Sequence, residues 1–327
     1  MVVEFSTNIT PETSSGIRWC AYSNWDCSGL SPDSLLISVM KPKTKIQNKD
    51  SFYFITLKFN FSTFQKIIMK GKIISCFLLL SLCGAISDVF AQLQPTTYHE
   101  EKQQLNGLLA VPISPLKEKN GILILPAWMG IDKHASESAE QLAKLGYYTF
   151  VADIYGEGNV PKNTAEAGKQ AGYYKSHVDE YRKRIQLALD QLVKAGANPD
   201  KIAVIGYCFG GTGALEAARA NMNVKGVVSF HGGLSRDTTK TTTSILPKVL
   251  VCHGADDFFI PQDEIISFQQ EMRTGKADWQ MNYYADAVHS FTDPTAGNDP
   301  TKGVAYNEKA AKRSWKAMLD FFEELFK

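Results

Sequence analysis

The segment Lys201-Ile-Ala-Val-Ile-Gly206-Tyr207-Cys208-Phe209-Gly210-Gly211 decides the fold of this 327-residue chain. Its first six residues are a short apolar run, which is typical of a buried strand, and residues 212–220 have the composition of a helix. A strand that enters a helix through a glycine-rich turn holds the central residue of the turn at the carboxyl edge of a sheet. The segment therefore predicts that Cys208 is presented at such an edge.

The turn has the pattern G-x-C-x-G, which is a nucleophile elbow with cysteine in place of serine. Residues two before and two after the nucleophile must be small, because strand and helix nearly touch there. A helix N-terminus favours the thiolate of Cys208 over the thiol. The backbone N–H of Phe209 points to where an oxyanion would form. The alternative is a buried structural cysteine in a glycine-rich turn.

Strands and helices alternate on both sides of this turn. Apolar runs predict strands at 121–125, 147–152, 201–206, 224–230, 248–253 and 279–284. Helical spacing predicts helices at 132–145, 163–196, 209–221, 262–273 and 302–326. This alternation predicts an α/β fold with a mostly parallel central sheet, flanked by helices on both faces.

Two further polar residues follow predicted strands, as an acid and a base should. Asp257 lies in a D-x-x-[VI]-P pattern after strand 248–253, and Asp256 is the second choice for the acid. His289 follows the last strand and precedes the final helix. The order nucleophile, acid, histidine is the order that this architecture requires, so we expect Cys208, Asp257 and His289 to act together.

Other histidines compete for the role of base. His231 ends a predicted strand and is the main alternative to His289. We expect His253 to pack behind the acid loop. His134 and His177 fall on predicted helices, where we expect both to be solvated.

The loop Pro126-Ala127-Trp128-Met129-Gly130 follows the first central strand. In enzymes with a nucleophile elbow, a second oxyanion donor comes from the loop after this strand, and the Trp128 N–H is the candidate here. The Trp128 indole is a candidate for the substrate pocket, with a core role as the alternative. Tyr155 and Phe259 are further candidates for substrate contact.

These motifs resemble the dienelactone hydrolase family over roughly residues 100–326. The resemblance rests on Leu125-Pro-Ala-Trp-Met-Gly130, Leu145-Gly-Tyr-Tyr-Thr-Phe-Val-Ala-Asp-Ile-Tyr-Gly156, Gly206-Tyr-Cys-Phe-Gly-Gly211, the run from Asp257 to Pro261, His289-Ser-Phe-Thr-Asp-Pro294, Ala305-Tyr-Asn307 and Arg313-Ser-Trp315. It implies an α/β-hydrolase fold with Cys208, His289 and Asp257 as a Cys-His-Asp triad. Ester or lactone cleavage through a covalent acyl-enzyme is then expected.

Two departures from the family pattern concern the substrate. The lactone-cleaving members of the family that this chain resembles carry a glutamate on the oxyanion loop. This chain has Ala127 at that position. The same members also carry an arginine four residues after the triad histidine, where this chain has Asp293. A neutral ester, or a lactone without a carboxylate, is therefore expected.

The first 91 residues lack the alternating strand and helix pattern of the rest of the chain. Residues 69–91 have the pattern of a signal peptide, with Met69, Lys70 and Lys72 before a short apolar run and Gln92 as the first mature residue. A signal anchor, a buried helix and a lipoprotein signal ending at Cys83 are alternatives. We expect residues 1–68 to be upstream of the native start, or else a small N-terminal domain. The domain at 92–327 is then expected to be secreted or periplasmic, without stable membrane association.

Composition excludes several other classes of function. A net charge of +1 without a clustered basic face argues against nucleic-acid binding. Six cysteines without a CxxC pair indicate neither a zinc site nor a disulfide framework. No metal or cofactor is expected, and the expected partner is a small-molecule ester or lactone. A thioesterase or peptidase with the same triad, and a non-catalytic binding protein, are the alternatives.

Overall fold

The computed structural model describes residues 92–327, together with the backbone of residues 37–40 and 54–57. The two short segments are strands β1 (Ile37–Met40) and β2 (Phe54–Leu57), which pair antiparallel. The rest of the predicted 1–68 leader and the predicted signal peptide at 69–91 lie outside the described residues.

Residues 92–327 contain one eight-stranded sheet in the order β10-β9-β8-β7-β5-β6-β4-β3. The six strands from β10 to β6 are parallel, while β4 is antiparallel to both β6 and β3. The strands are β3 (Gln94–Glu100), β4 (Gln103–Ala110), β5 (Gly121–Leu125), β6 (Tyr148–Val151), β7 (Ile202–Tyr207), β8 (Gly226–Phe230), β9 (Lys248–Gly254) and β10 (Trp279–Tyr284). The predicted α/β class with a mostly parallel sheet is confirmed.

Helices cover both faces of this sheet, because alternate residues of the central strands point to opposite sides. On β5, Leu123 and Leu125 join one core cluster and Ile122 and Ile124 join the other. The helices are α1 (Lys133–Lys144), α2 (Thr164–Ser176), α3 (Val178–Lys194), α4 (Phe209–Arg219), α5 (Gln262–Thr274) and α6 (Glu308–Leu325). The first cluster takes side chains from α2 to α5, and the second takes them from α1 and α6.

Three sequence predictions of elements need correction. The helix predicted at 163–196 is two helices, because His177 leaves helical geometry with φ −113° and ψ 62°. The helix predicted from 302 begins at Glu308, where the Asn307 side chain caps the Ala310 N–H. The hairpin of β3 and β4 was not predicted, because both strands mix polar and apolar residues and lack the continuous apolar run of a central parallel strand.

The glycines around the elbow are required by packing. A Cβ added at Gly206 would lie 1.9 Å from the Gly210 carbonyl oxygen, and one added at Gly210 would lie 2.1 Å from the Leu125 carbonyl oxygen. Backbone atoms at such distances cannot move without displacing the strand or the helix. Glycine at both positions is therefore what allows α4 to begin directly against β7 and β5.

The substitution Gly206→Ala should lower the free energy of unfolding by about 3 kcal/mol or more, because the new methyl group overlaps backbone atoms. Gly172→Ala is the control, since a Cβ at this helical position meets nothing within 4 Å. It should raise stability by roughly 0.5–1 kcal/mol, as alanine generally does in a helix. Urea denaturation of the two variants measures both effects. Equal midpoints for Gly206→Ala and wild type would contradict the packing argument.

Candidate active site

Cys208 occupies the turn between β7 and α4 in an uncommon backbone conformation. Its φ of 54° and ψ of −114° lie outside the regions that non-glycine residues usually adopt. Hydrogen bonds on both sides hold it there. Its N–H donates to the Phe230 carbonyl oxygen at 3.0 Å, and its carbonyl oxygen accepts from the Thr212 N–H at 3.2 Å. The sheet and the helix together thus maintain this conformation.

The structure brings Cys208, His289 and Asp257 together from three separate loops. His289 Nε2 lies 3.1 Å from Cys208 Sγ, and His289 Nδ1 lies 2.8 Å from Asp257 Oδ2. The second carboxylate oxygen of Asp257 accepts a hydrogen bond from the Phe259 N–H at 3.1 Å. Asp256, the other candidate acid, is exposed and does not contact His289 through a hydrogen bond or ion pair among residues 92–327.

Backbone hydrogen bonds fix the loop that carries His289. The His289 N–H donates to the Gly303 carbonyl oxygen at 3.1 Å, and the His289 carbonyl oxygen accepts from the Ala305 N–H at 3.1 Å. The imidazole therefore sits on a segment that is paired on both sides, although no regular strand contains it.

The electrostatics of the cluster favour a thiolate–imidazolium pair. Burial by itself raises the pKa of the Cys208 thiol. The hydrogen bond and charge of His289 outweigh it, helped by the Lys175 ammonium and the Phe209 N–H, so the pKa is lowered overall. Burial by itself lowers the pKa of His289. Its hydrogen bonds to Asp257 and Cys208, and their charges, raise that pKa to about 10.

The two predicted oxyanion donors lie at the expected places in the chain. Phe209 is the first residue of α4, so its N–H has no partner within the helix, and this N–H helps to lower the pKa of the Cys208 thiol. The 126–130 loop is closed by a hydrogen bond from the Gly130 N–H to the Ala127 carbonyl oxygen at 3.0 Å. Within residues 92–327, neither the Phe209 N–H nor the Trp128 N–H donates to a protein carbonyl.

Tyr155 holds the 126–130 loop through a hydrogen bond. Its hydroxyl donates to the Trp128 carbonyl oxygen at 2.8 Å, and its ring stacks on Phe209 with centroids 5.7 Å apart. The side chain is 2% exposed. Tyr155 thus links the two segments that carry the predicted oxyanion donors, and a direct contact between Tyr155 and substrate stays a prediction.

Three exposed aromatic side chains surround the site. Trp128 is 37% exposed, and Phe259 is 51% exposed with its ring edge-on to His289 at 5.5 Å. Phe258, which sequence reasoning did not select, is also exposed and packs against Phe259 at 4.7 Å. Phe259 and Phe258 thus form an apolar surface next to the His289 ring.

Four of the five other histidines were considered in the sequence analysis, and their surroundings differ. His177 is exposed, as predicted, and His253 is buried beside the acid loop with its ring edge-on to Tyr283. His134 was predicted to be solvated, and this is wrong: it is half-buried, packs on Tyr207 at 4.4 Å and lies 3.1 Å from Thr292 Oγ1. His231 does not contact the Cys208 sulfur, because its Nδ1 faces the Cys208 N–H at 3.2 Å.

The structure gives different surroundings to two charged residues, Asp293 and Lys175. Asp293 Oδ1 accepts hydrogen bonds from the N–H and hydroxyl of Thr295, both at 2.8 Å, so this carboxylate caps a turn. Lys175, at the end of α2, contributes positive charge near Cys208 and was not selected from the sequence. A lysine on a polar helix carries no motif that would identify it.

No metal-binding group of three or more His, Cys, Asp or Glu side chains is present in the described part of the chain. Nor is any helix there both long enough and apolar enough to cross a bilayer.

Comparison with known proteins gives consistent matches. The model of the dienelactone hydrolase family matches residues 105–326. An uncharacterised Caenorhabditis elegans protein is 33% identical over 152 residues, which is 44% of this chain and 92% of that protein. A Yersinia pestis protein, provisionally named a carboxymethylenebutenolidase, is 23% identical over 70% of this chain and 87% of its own length. A dienelactone hydrolase-like promiscuous phosphotriesterase from metagenomic libraries is 35% identical, with a TM-score of 0.67, over 72% of this chain and 99% of its own.

Alkylation of Cys208 by iodoacetamide should show a pH midpoint below about 8.5, the pKa of a free thiol. Thiolate, the reactive form, is present above the folded-state pKa and is lost as pH falls through it. His289→Gln should raise the midpoint, because burial then acts without the neighbouring cation. Cys252 is an internal control, since burial raises its pKa to about 12 and it should remain unlabelled in the folded protein. An unchanged midpoint in His289→Gln would count against the ion pair.

Proposed function

The chain belongs to the dienelactone hydrolase family and is a hydrolase of ester or lactone bonds, and we propose that Cys208 is its nucleophile. The observation that carries this proposal is the chain of contacts from Asp257 through His289 to the Cys208 sulfur, at 2.8 and 3.1 Å. A nucleophile, a base within hydrogen-bond reach and a group that orients the base are the parts that acyl transfer requires.

In the first half of the reaction, the Cys208 thiolate attacks the carbonyl carbon and a carbon–sulfur bond forms. The carbonyl π electrons move onto oxygen, where the N–H groups of Phe209 and Trp128 stabilise the oxyanion. When the oxyanion collapses, the bond to the alkoxide breaks and His289 gives its Nε2 proton to that oxygen. The alcohol is released, or stays tethered in the case of a lactone, and an acyl-thioester remains on Cys208.

In the second half, neutral His289 takes a proton from water as the water oxygen attacks the thioester. Collapse of the second oxyanion breaks the carbon–sulfur bond and releases the acid. The thiolate and the imidazolium are regenerated. Asp257 keeps the Nδ1–H of His289 directed toward itself throughout, so Nε2 faces the sulfur and the substrate.

A neutral ester, or a lactone without a carboxylate, is the proposed substrate class. Ala127 and Asp293 stand where a glutamate and a carboxylate-binding arginine are expected in lactone-cleaving members, and the Asp293 carboxylate is used by Thr295. The exposed rings of Trp128 and Phe259 favour an apolar group beside the reacting bond. The phosphotriesterase relative makes a neutral phosphotriester a second substrate to test.

We propose a secreted or periplasmic location for the domain, on the signal-peptide pattern of residues 69–91. The first strand of the domain, β3, begins at Gln94, so cleavage before Gln92 removes no strand of the sheet. Mass spectrometry of the native protein should find Gln92 at its N-terminus. Peptides from residues 1–68 in the mature protein would contradict both the processing and the start at Met69.

Hydrolysis of short-chain p-nitrophenyl esters tests the nucleophile. Cys208→Ala and His289→Ala should each lower kcat by at least about 10³-fold, as loss of a member of a catalytic triad does. Cys252→Ala is the matched control, because this buried cysteine lies inside β9, and its activity should stay within about twofold of wild type.

Trapping of the intermediate adds a second measurement. Rapid quenching of wild-type enzyme should show one acyl group on the peptide that contains Cys208. A panel with a carboxylate-bearing lactone, a thioester, a peptide and a neutral phosphotriester then assigns the substrate class. Wild-type activity in Cys208→Ala would overturn the assigned nucleophile.

A further inference from the structure

His231 lies between the elbow and the loop that carries His289. It follows β8 directly, is 2% exposed and has a φ of 40°. Its ring contacts that of His289 edge-on at 5.2 Å and that of Phe291 at 5.2 Å. The residue is thus buried inside the site, yet it has no part in the proposed reaction.

The hydrogen bonds of His231 define its tautomer. Nδ1 lies 3.2 Å from the Cys208 N–H, which can only donate, so this nitrogen accepts. Nε2 therefore carries the ring proton and donates it to Thr292 Oγ1 at 2.8 Å. Burial and the positive charge of His289 hold the pKa of His231 well below its ordinary value, which is consistent with a neutral ring.

The Thr292 hydroxyl extends this connection. Since it accepts from His231, its own proton is free to go to His134 Nε2, which lies 3.1 Å away. Thr292 is three residues beyond His289 on the same loop and is 7% exposed. One imidazole ring therefore joins the backbone of the nucleophile to the loop of the base.

We propose that His231 and Thr292 form a positioning bridge that sets the distance between the Cys208 sulfur and the His289 imidazole. This inference rests on the proposed role of Cys208 as nucleophile. The elbow lies at the end of β7, whereas the His289 loop follows β10, three strands away in the sheet. Besides the sulfur–imidazole contact, the residue that follows β8 connects the two segments through its hydrogen bonds.

The bridge also contributes one hydrogen bond to the uncommon backbone conformation of Cys208. A non-glycine residue with φ of 54° is held there only when its surroundings over-determine it. The Cys208 N–H has two acceptors, the Phe230 carbonyl oxygen at 3.0 Å and His231 Nδ1. His231 is the acceptor that links this conformation to the position of His289.

Thr292 variants separate positioning from simple structural support. Thr292→Val removes the hydroxyl at nearly constant volume, and Thr292→Ser keeps it. Thr149→Val is the control, because Thr149 is also buried and its hydroxyl donates at 3.1 Å to the Ala139 carbonyl oxygen, away from the site. Thr292→Val and Thr149→Val remove the same chemical group from two buried positions.

We expect Thr292→Val to lower kcat on a p-nitrophenyl ester about fivefold to tenfold, the value of one hydrogen bond, with KM within twofold. The pH midpoint of Cys208 alkylation should rise in the same variant, by roughly one unit, because the thiolate loses part of its contact with His289. Thr292→Ser and Thr149→Val should match wild type in both measurements, even where Thr149→Val lowers the melting temperature.

Two His231 variants test the two ends of the bridge. His231→Asn keeps an acceptor near the position of Nδ1 and loses the bond to Thr292, and His231→Gln does the opposite. If the bridge works as a unit, each variant reproduces the loss of kcat and the raised midpoint. Adding Thr292→Val to His231→Asn should then cost nothing more.

Equal kcat and equal midpoints in Thr292→Val and Thr149→Val would overturn the bridge. That result is distinguishable from failure of the nucleophile. If Cys208→Ala is inactive while Thr292→Val behaves like wild type, only the bridge is rejected. If Cys208→Ala is active, the proposed nucleophile is rejected as well.

Discussion

The near contact of β7 with the first turn of α4 is the constraint on which the rest of the structure depends. Strand and helix approach so closely at Gly206 and Gly210 that no side chain fits between their backbones. This approach forces Cys208 into a conformation with positive φ and lifts it out of the sheet edge. It also makes Phe209 the first residue of α4, and the Phe209 N–H helps to lower the pKa of the Cys208 thiol. The proposed nucleophile and the proposed oxyanion donor therefore both depend on this one packing contact.

Burial has the opposite effect on the pKa of Cys208 to neighbouring positive charge and hydrogen bonds, and charge and hydrogen bonds together have the larger effect. Burial alone makes a thiol harder to ionise, as Cys252 demonstrates in the middle of β9. Cys208 differs because His289 and Lys175 supply positive charge and Phe209 supplies an N–H. Asp257 in turn stabilises the imidazolium, so a buried cation and a buried anion compensate each other. The reactive thiolate depends on all these groups, which come from separate parts of the chain.

Much of the fold could be predicted from the sequence, because the central strands have a recognisable local pattern of residues. Buried parallel strands are continuous apolar runs, so the central strands were located to within one or two residues. The errors fell where local pattern is weak. His177 interrupts a helix without proline or glycine, so the break between α2 and α3 carries no signal. The hairpin of β3 and β4 also gives a weak signal, because its strands mix polar and apolar residues and contain no continuous apolar run.

The amino-acid sequence by itself determined the class of fold and the placement of Cys208, Asp257 and His289 at the ends of strands. It could do so because parallel strands bring their carboxyl ends to one edge. Only the tertiary structure decided that Asp257 rather than Asp256 contacts His289, and that His231 faces the backbone of Cys208 rather than its sulfur. Both choices depend on side-chain direction, which differs between neighbouring residues and is set by packing between segments far apart in the chain.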